Sequence, residues 1–321
     1  MMAVWLREFG GPEVLAAGEA DAPVAGPGQA LIRVHFVHVA FIETQLRSGR
    51  PGPYRLELPV IPGNGVGGVV VSVGTGTDGA WMGMRVVAST GGSGGYAEAV
   101  AVGAEALIAV PEGLALDNAV AMLADGRTAM MLMETAGPIM AERVLVEAAA
   151  GGVGTLLVQL AKAAGATVVA AAGGTAKLAV ARELGADVVV DYLSPEWMAQ
   201  VRQAVGGLDV VFDGVGGAVA RSSFELLEAG GRMISFGLAS GGWADISEET
   251  ATDRGVRLLR PPRPAPAENR ALTERALAEA AAGRLRPVVG QRFPLARASD
   301  AHAAMEARTT TGRTLLDLGL S

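Results

Sequence analysis

The chain has 321 residues, half of them apolar, with 45 glycines and a net charge of −7, which is enough for two domains of ordinary size. The absence of cysteine excludes disulfides, thiolate nucleophiles and cysteine-ligated metal sites, and the negative balance argues against a general nucleic-acid or anionic-membrane surface. No N-terminal signal pattern and no apolar run of membrane-spanning length is present, so the expectation is a soluble, cytoplasmic protein.

Met1 to Leu15 reads as a strand, a Gly10-Gly11-Pro12 turn and further extended chain. Gly26-Pro27-Gly28-Gln29 is a strong turn signal, and Ala30 to Ala40 after it is a strand. His35 and His38 lie in that strand at an odd separation, which simple alternation assigns to opposite faces, so they are not expected to clasp a metal together. A Pro-rich turn runs through Tyr54. Turn and strand alternate from Pro59 to Gly74, and further strands at Arg85 to Ala88 and Tyr96 to Val102 flank a flexible loop, Gly91 to Gly95. Many short strands at close spacing predict a compact, barrel-like β unit. From Ala119 the texture turns helical, with Ala119 to Leu123 and Thr128 to Glu134 ended by Gly137-Pro138. The methionines of this stretch, Met122, Met130, Met131 and Met133, read first as core filler and second as the lining of an adaptable apolar pocket.

The most informative stretch follows. Val144 to Val146 is a short buried strand that stops at Ala148-Ala149-Ala150-Gly151-Gly152-Val153-Gly154, and an apolar-periodic helix starts at once. A G-x-G-x-x-G pattern falls on Ala149, Gly151 and Gly154, with alanine in the first place. Small residues there let the chain turn sharply, let a pyrophosphate approach the helix N-terminus, and let helix pack on strand. A second strand (Ala166 to Ala172), a helix (Ala176 to Leu184) and a third strand (Asp187 to Asp191) complete the βαβαβ order of a dinucleotide-binding half. NAD enzymes place an acid at the end of the second strand to hold the ribose hydroxyls. Here that end is Ala172-Gly173-Gly174-Thr175, and Lys177 opens the next helix, so NADPH is the expected cofactor; the alternative for Lys177 is a solvated helix residue.

Further strands at Leu208 to Phe212, Arg232 to Phe236 and Val256 to Leu259, with a helix at Ala218 to Glu228, predict six strands in a doubly wound sheet. Ligands bind at strand C-terminal ends, which marks Gly214 to Gly217 and Gly237 to Gly241 as candidate loops. A Pro-rich stretch from Arg260, a helix (Leu272 to Ala282), a strand (Pro287 to Gln291), a helix capped by Ser299-Asp300 and a last strand (Arg313 to Leu318) return the chain to the first unit. The domain reading is 1–118 and 260–321 for the β-rich unit, with 119–259 inserted.

Five separated motifs carry a resemblance: Phe9-Gly10-Gly11-Pro12-Glu13-Val14-Leu15, Ala149 to Gly154, Leu184-Gly185-Ala186-Asp187, Gly290 to Leu295, and Arg308 to Thr314. Together they resemble the zinc-independent quinone oxidoreductase branch of the medium-chain dehydrogenase/reductase superfamily, over essentially the whole chain. The resemblance implies a GroES-like catalytic domain with an inserted Rossmann domain, NADPH as donor and a homodimer. It places Ala150, Gly151, Gly152, Val153 and Gly154 at the pyrophosphate, and Gly173, Lys177 and Tyr192 around the adenosine phosphate. Arg313 matches the basic residue of the C-terminal motif. Thr128 lies near the nicotinamide in this reading, with Gly237 and Leu238 on the loop along it; Gly214, Val215 and Phe236 are further cofactor-binding candidates at the strand ends.

The departures fall in the substrate region. Zinc-dependent relatives carry a Gly-His-Glu segment where this chain has Gly63-Asn64-Gly65. The family's Gly-Val-Asn-Pro-x-Asp segment reads His38-Val39-Ala40-Phe41-Ile42-Glu43, and Asp125 and Arg127 replace a glutamine and a usually apolar residue. Without metal or thiol, the chemistry expected is direct hydride transfer from NADPH to an already electrophilic acceptor, an enone or a quinone, with a hydrogen bond to the carbonyl as charge develops. Candidates for that bond are Tyr54, Tyr96, Thr128 and Glu43. Arg127 is a candidate partner for a substrate carboxylate; the alternative is an ion pair with Asp125 or Glu134. Two other functions stay open, NADPH:quinone oxidoreductase proper and a non-catalytic, crystallin-like NADPH-binding protein.

Overall fold

The structure is a computed structural model that describes residues 1–50 and 55–319. The chain divides into two compact units, Met1–Ala124 with Thr273–Ser321, and Asp125–Leu272.

In the first unit the elements are β1 (Met2–Leu6), β2 (Leu15–Glu19), β3 (Gln29–Val39), α1 (Phe41–Arg47), β4 (Gly65–Val73), β5 (Arg85–Ser89), β6 (Ala99–Gly103) and β7 (Leu107–Ala109). The helix α2 (Leu116–Ala136) begins here and passes into the second unit at Asp125, and β14 (Val289–Pro294), α9 (Ala298–Glu306) and β15 (Arg313–Asp317) return from the C-terminal segment. The main sheet runs β14-β15-β3-β4-β5-β7 with β6 on β3; β14 and β15 are parallel, whereas the pairs that β3, β4 and β5 make are antiparallel. Ala30, Ile32, Val34, Val37, Val39, Val66, Val86 and Leu316 are fully or almost fully buried in its core, and each such aliphatic side chain contributes about 1.5–3 kcal/mol on leaving water.

Within β3 the core-facing residues are even-numbered up to Val34 and odd-numbered from Val37. The pairing of β3 with β4 shifts register between Val34 and Phe36, and one extra residue in a strand reverses its parity. The simple alternation used to separate His35 from His38 therefore does not hold across this shift. His38 is buried against Gly65, where an added Cβ would collide with its ring.

The second unit contains β8 (Arg143–Glu147), α3 (Gly152–Ala163), β9 (Thr167–Ala172), α4 (Thr175–Glu183), β10 (Val188–Asp191), α5 (Trp197–Val205), β11 (Leu208–Asp213), α6 (Gly217–Phe224), β12 (Leu227–Ser235), α7 (Glu248–Asp253) and β13 (Arg257–Leu259); α8 (Pro266–Ala281) begins here. The sheet order is β10-β9-β8-β11-β12-β13, with every neighbouring pair parallel. Chain order thus reverses between β8 and β11, which is where a doubly wound sheet opens a crevice at its strand C-termini. Val144, Leu145, Val146, Val168 and Val169 are completely buried, as strands covered on both faces require.

Several expectations are corrected. The two helical pieces expected on either side of Gly126 are one continuous α2; a single glycine in a helix interior costs only about 1 kcal/mol. The helix expected over Ala218 to Glu228 stops at Phe224, and the next strand starts at Leu227 rather than Arg232, because Leu208 already pairs with Leu227 before the register shift. The helices α1, α5 and α7 were not anticipated. No helix among the described residues is long and apolar enough to cross a membrane.

Candidate functional site

In the second unit three small-residue turns lie at the C-terminal ends of neighbouring strands. After β8, Ala148 adopts a left-handed backbone (φ 47), and the Gly151 N–H donates to the Ala148 carbonyl at 2.8 Å. Gly151 is the N-cap of α3, and no side chain caps the helix. First-turn N–H groups without a side-chain acceptor, together with the positive end of the helix dipole, attract an anion. Gly154 is required sterically, because what its Cβ would meet is backbone. A Cβ on Gly154 would stand 2.9 Å from both Ala148 C and Ala149 Cα, and one on Gly152 would stand 2.8 Å from Asp125 Cγ. Ala150, Gly151, Gly152, Val153 and Gly154 are thus gathered at one turn. The left-handed conformation falls on Ala148, a residue whose type gave no hint of it.

The loops after β11 and β12 are zipped together. Phe236 N–H donates to the Asp213 carbonyl at 2.9 Å and Ser240 N–H to the Val215 carbonyl at 2.8 Å. A Cβ on Gly214 would stand 2.9 Å from Phe236 Cζ, and one on Gly237 would stand 2.6 Å from the Gly214 carbonyl oxygen. Gly214, Val215, Phe236 and Gly237 therefore form one surface with Leu238 exposed at its rim.

At the end of β9 there is no acid, as the sequence indicates. Lys177 is half-buried in the first turn of α4, and Tyr192 lies beside Gly173, whose Cβ position is 3.3 Å from Tyr192 Cε2. The nearby acid is Asp191, supplied by the adjacent strand β10 and invisible to a search along β9. Its oxygens accept the Gly174 N–H at 3.2 Å and the Leu193 N–H at 2.9 Å.

Arg127 and Thr128 are half-buried on α2. Burial lowers the Arg127 pKa and no charged partner offsets it. The ion pair with Asp125 or Glu134, offered as the alternative role for Arg127, is not formed.

The remaining candidates fall in the first unit. Glu43 is 4% exposed. Its Oε2 accepts from the Ala40 N–H at 2.8 Å and the Tyr96 hydroxyl at 3.0 Å, and its Oε1 accepts from the Asn64 N–H at 2.9 Å. Burial raises its pKa, with the N–H donors, Tyr96 and Arg313 pulling the other way. Three donors, two of them backbone N–H groups, thus engage the carboxyl inside this unit. Tyr96, fully buried, is likewise spent on Glu43 and on His302 Nε2 at 2.9 Å. Arg313 is 8% exposed and donates to the Val39 carbonyl at 2.9 Å; burial pushes its pKa down to about 10, with Glu43 and Tyr96 opposing. Its guanidinium is thus engaged with the interior of this unit. His302, which no sequence motif marked, is the buried end of the network. Tyr54 lies outside the described residues. Among the described residues no three His, Asp or Glu side chains gather as a metal site.

Comparison with known proteins agrees with this arrangement. The profile described as "Alcohol dehydrogenase GroES-like domain" matches residues 26–112 and that described as "Zinc-binding dehydrogenase" matches residues 152–277. A quinone oxidoreductase of Pseudomonas aeruginosa is 31% identical over 96% of this chain and 97% of its own length. A 2-haloacrylate reductase of Burkholderia is 32% identical over 98% of both. The crystal structure of the Escherichia coli quinone oxidoreductase complexed with NADPH superposes with a TM-score of 0.90 at 29% identity, covering 99% of this chain and 100% of that one. With its GroES-like unit, its parallel-sheet unit and this near-complete coverage, the chain belongs to the quinone oxidoreductase branch of the medium-chain dehydrogenase/reductase superfamily.

Proposed function

We propose that this protein is an NADPH-dependent oxidoreductase that needs no zinc, acts as a cytoplasmic homodimer, and transfers hydride to a conjugated carbonyl acceptor. The observation that carries the cofactor reading is the uncapped N-terminus of α3 beside the zipped loops after β11 and β12. There, glycines at 154, 214 and 237 leave no room for a Cβ, and backbone alone meets the approaching ligand. A relative of the same architecture has been solved with NADPH. These residues fit a dinucleotide: the α3 turn would hold the pyrophosphate, and Gly173, Lys177 and Tyr192 would hold the adenosine phosphate. No carboxylate at the end of β9 opposes a 2′-phosphate.

When bound, the cofactor supplies a hydride at its nicotinamide ring. The chain's own part is alignment. Gly237 and Leu238 would support the ring, and Thr128, half-buried on α2, would orient it or the acceptor carbonyl. Neither Glu43 nor Tyr96 is offered as the proton donor, since both are committed to structure. The absence of cysteine removes the usual zinc ligands.

Within this reading, Arg127 favours a conjugated acid over a quinone. A half-buried guanidinium without a counter-ion is costly unless a ligand supplies one, and a substrate carboxylate is a two-oxygen match for it. A relative named for the reduction of 2-haloacrylate, itself a conjugated carboxylate, is consistent with that class. The test compares wild type with Arg127→Ala on carboxylated enones, neutral enones and quinones. The expected result is a loss of about 10- to 100-fold in kcat/KM confined to the carboxylated acceptors. An unchanged ratio of carboxylated to neutral enones would end the carboxylate reading and leave quinones as the natural class.

A further inference from the structure

Beneath the turn after β8 and the loop after β11 lie two acids on adjacent parallel strands. Glu147 is the last residue of β8 and Asp213 the last of β11, and both are completely buried. Ser223 on α6 donates to Glu147 Oε1 at 2.6 Å. The Val215 N–H is shared between Glu147 Oε2 at 3.2 Å and Asp213 Oδ1 at 3.1 Å, and the Gly216 N–H donates to Asp213 Oδ1 at 2.7 Å. The two carboxyls thus converge on one N–H, and Asp213 Oδ2 is left buried without a donor. Two like-charged carboxylates buried side by side are disfavoured unless a proton lies between them.

We propose that Glu147 and Asp213 share one proton beneath the Gly214–Gly216 loop, and that this shared proton positions the loop and couples dinucleotide binding to pH. The inference rests on the cofactor reading above. With the proton present, Glu147 donates to Asp213 Oδ2, and the pair grips the Val215 and Gly216 N–H groups that shape the loop. Its loss leaves two adjacent anions under the loop, and puts the added charge one residue before the turn that is to meet the pyrophosphate. Both effects weaken binding of a polyanion.

The surroundings do not neutralise the pair. The register partner of Glu147 on β9 is Ala171, and that of Asp213 on β12 is Ser235. From α6 comes only the Ser223 hydroxyl, while Arg221 faces an outer cavity of about 330 Å³ with Glu225 and Asp245. The remaining acids at this end of the sheet are Asp125, packed on Gly152, and Asp191, engaged by Gly174 and Leu193. Burial first, and the Asp213 charge second, hold the Glu147 carboxyl well above the usual range, against the Ser223 and Val215 donors.

The sign follows from linkage. The protonated pair is the binding form, so affinity is full below the raised value of Glu147 and falls as pH rises through it, by at most about tenfold per pH unit for one proton. Binding above that value takes up a proton. The test is NADPH titration of the full-length protein by calorimetry, in buffers of different ionisation enthalpy from about pH 5.5 to about 9.5, for wild type and Glu147→Gln. The glutamine amide donates to Asp213 Oδ2 and accepts from Ser223 without titrating. The NADPH 2′-phosphate titrates identically in both proteins, so their difference isolates Glu147. The expected result is a steeper fall of affinity with pH and a larger proton uptake in wild type. Asp213→Asn, which removes the neighbouring charge but keeps Glu147, is expected to move the wild-type midpoint to lower pH, and it stands in should Glu147→Gln fail to fold. Parallel affinity curves and equal proton uptake in wild type and variant would overturn the inference while sparing the cofactor reading. A folded protein that binds no NADPH at any pH would overturn both.

Discussion

Gly154→Ala tests the turn on which the cofactor reading depends. The added Cβ would stand 2.9 Å from Ala148 C and from Ala149 Cα, where two carbons prefer about 3.5–4.0 Å. These are backbone atoms that no rotamer change can move, so α3 must retreat by roughly 0.5–1 Å, which costs about 1–3 kcal/mol. Alanine's better helix propensity returns up to about 1 kcal/mol. The net loss of about 1–2 kcal/mol corresponds to several degrees in Tm. The same displacement shifts the N–H donors of the α3 turn and weakens NADPH binding by about tenfold or more. Gly151→Ala is the control for stability. Gly151 has ordinary extended backbone (φ −82, ψ 172), and its Cβ would stand 3.2 Å from the Ala148 carbonyl oxygen, a contact that a few tenths of an ångström relieve. Its Tm should stay near wild type. Thermal denaturation and NADPH fluorescence titration read both effects. A Gly154→Ala protein that melts and binds like wild type would refute the reasoning.

Three further outcomes are expected. Lys177→Glu should weaken NADPH by about 10- to 100-fold while leaving NADH nearly unchanged; equal losses for both cofactors in direct binding would remove Lys177 from the 2′-phosphate. His302 is held at a pKa of about 3, by burial first and the Arg47 charge second. The unfolded chain therefore takes up a proton that the folded chain refuses below the free-histidine value near 6.5. Stability is full above that value and drops by up to about 1.4 kcal/mol per pH unit as pH falls toward the folded value. His302→Gln should flatten this acid limb in denaturant titrations, and an unchanged slope would contradict the assignment. Arg232, 5% exposed, donates to the Ala136 carbonyl at 2.6 Å, the Pro138 carbonyl at 2.8 Å and Glu142 at 2.7 Å, so Arg232→Met should cost about 2–4 kcal/mol, read as a fall in Tm; a loss below about 1 kcal/mol would show that water replaces these bonds.

The parallel-sheet unit was legible because its pattern is redundant: β-branched runs, helices of the right length and glycines at the strand ends all point to one topology. The elements that escaped carry weak signals. In α5, Trp197 and Val201 are buried amid polar residues, and α7 spans only Glu248–Asp253. Helix α1 follows Ala40, a residue with no capping side chain, and Glu43 supplies the missing bond from within the helix. In the site, the glycine positions could be read because backbone geometry dictates them. The partnerships of Glu43, Tyr96, His302 and Arg313 could not, since Tyr96 and His302 stand 206 positions apart and only the folding of distant helices and loops brings them together. The bulge in β3 likewise reverses the faces of its residues without any glycine or proline to announce it.

The central claim is hydride transfer from NADPH to a conjugated carbonyl without zinc. The most direct measurement follows NADPH and NADH oxidation by the purified, chelator-treated protein with naphthoquinone, phenanthrenequinone, and neutral and carboxylated enones. Turnover with NADPH preferred over NADH and unchanged by the chelator, fastest with a carboxylated enone, is the expected result. Tight NADPH binding with no acceptor reduced would contradict the claim and point to a nucleotide-binding protein without turnover.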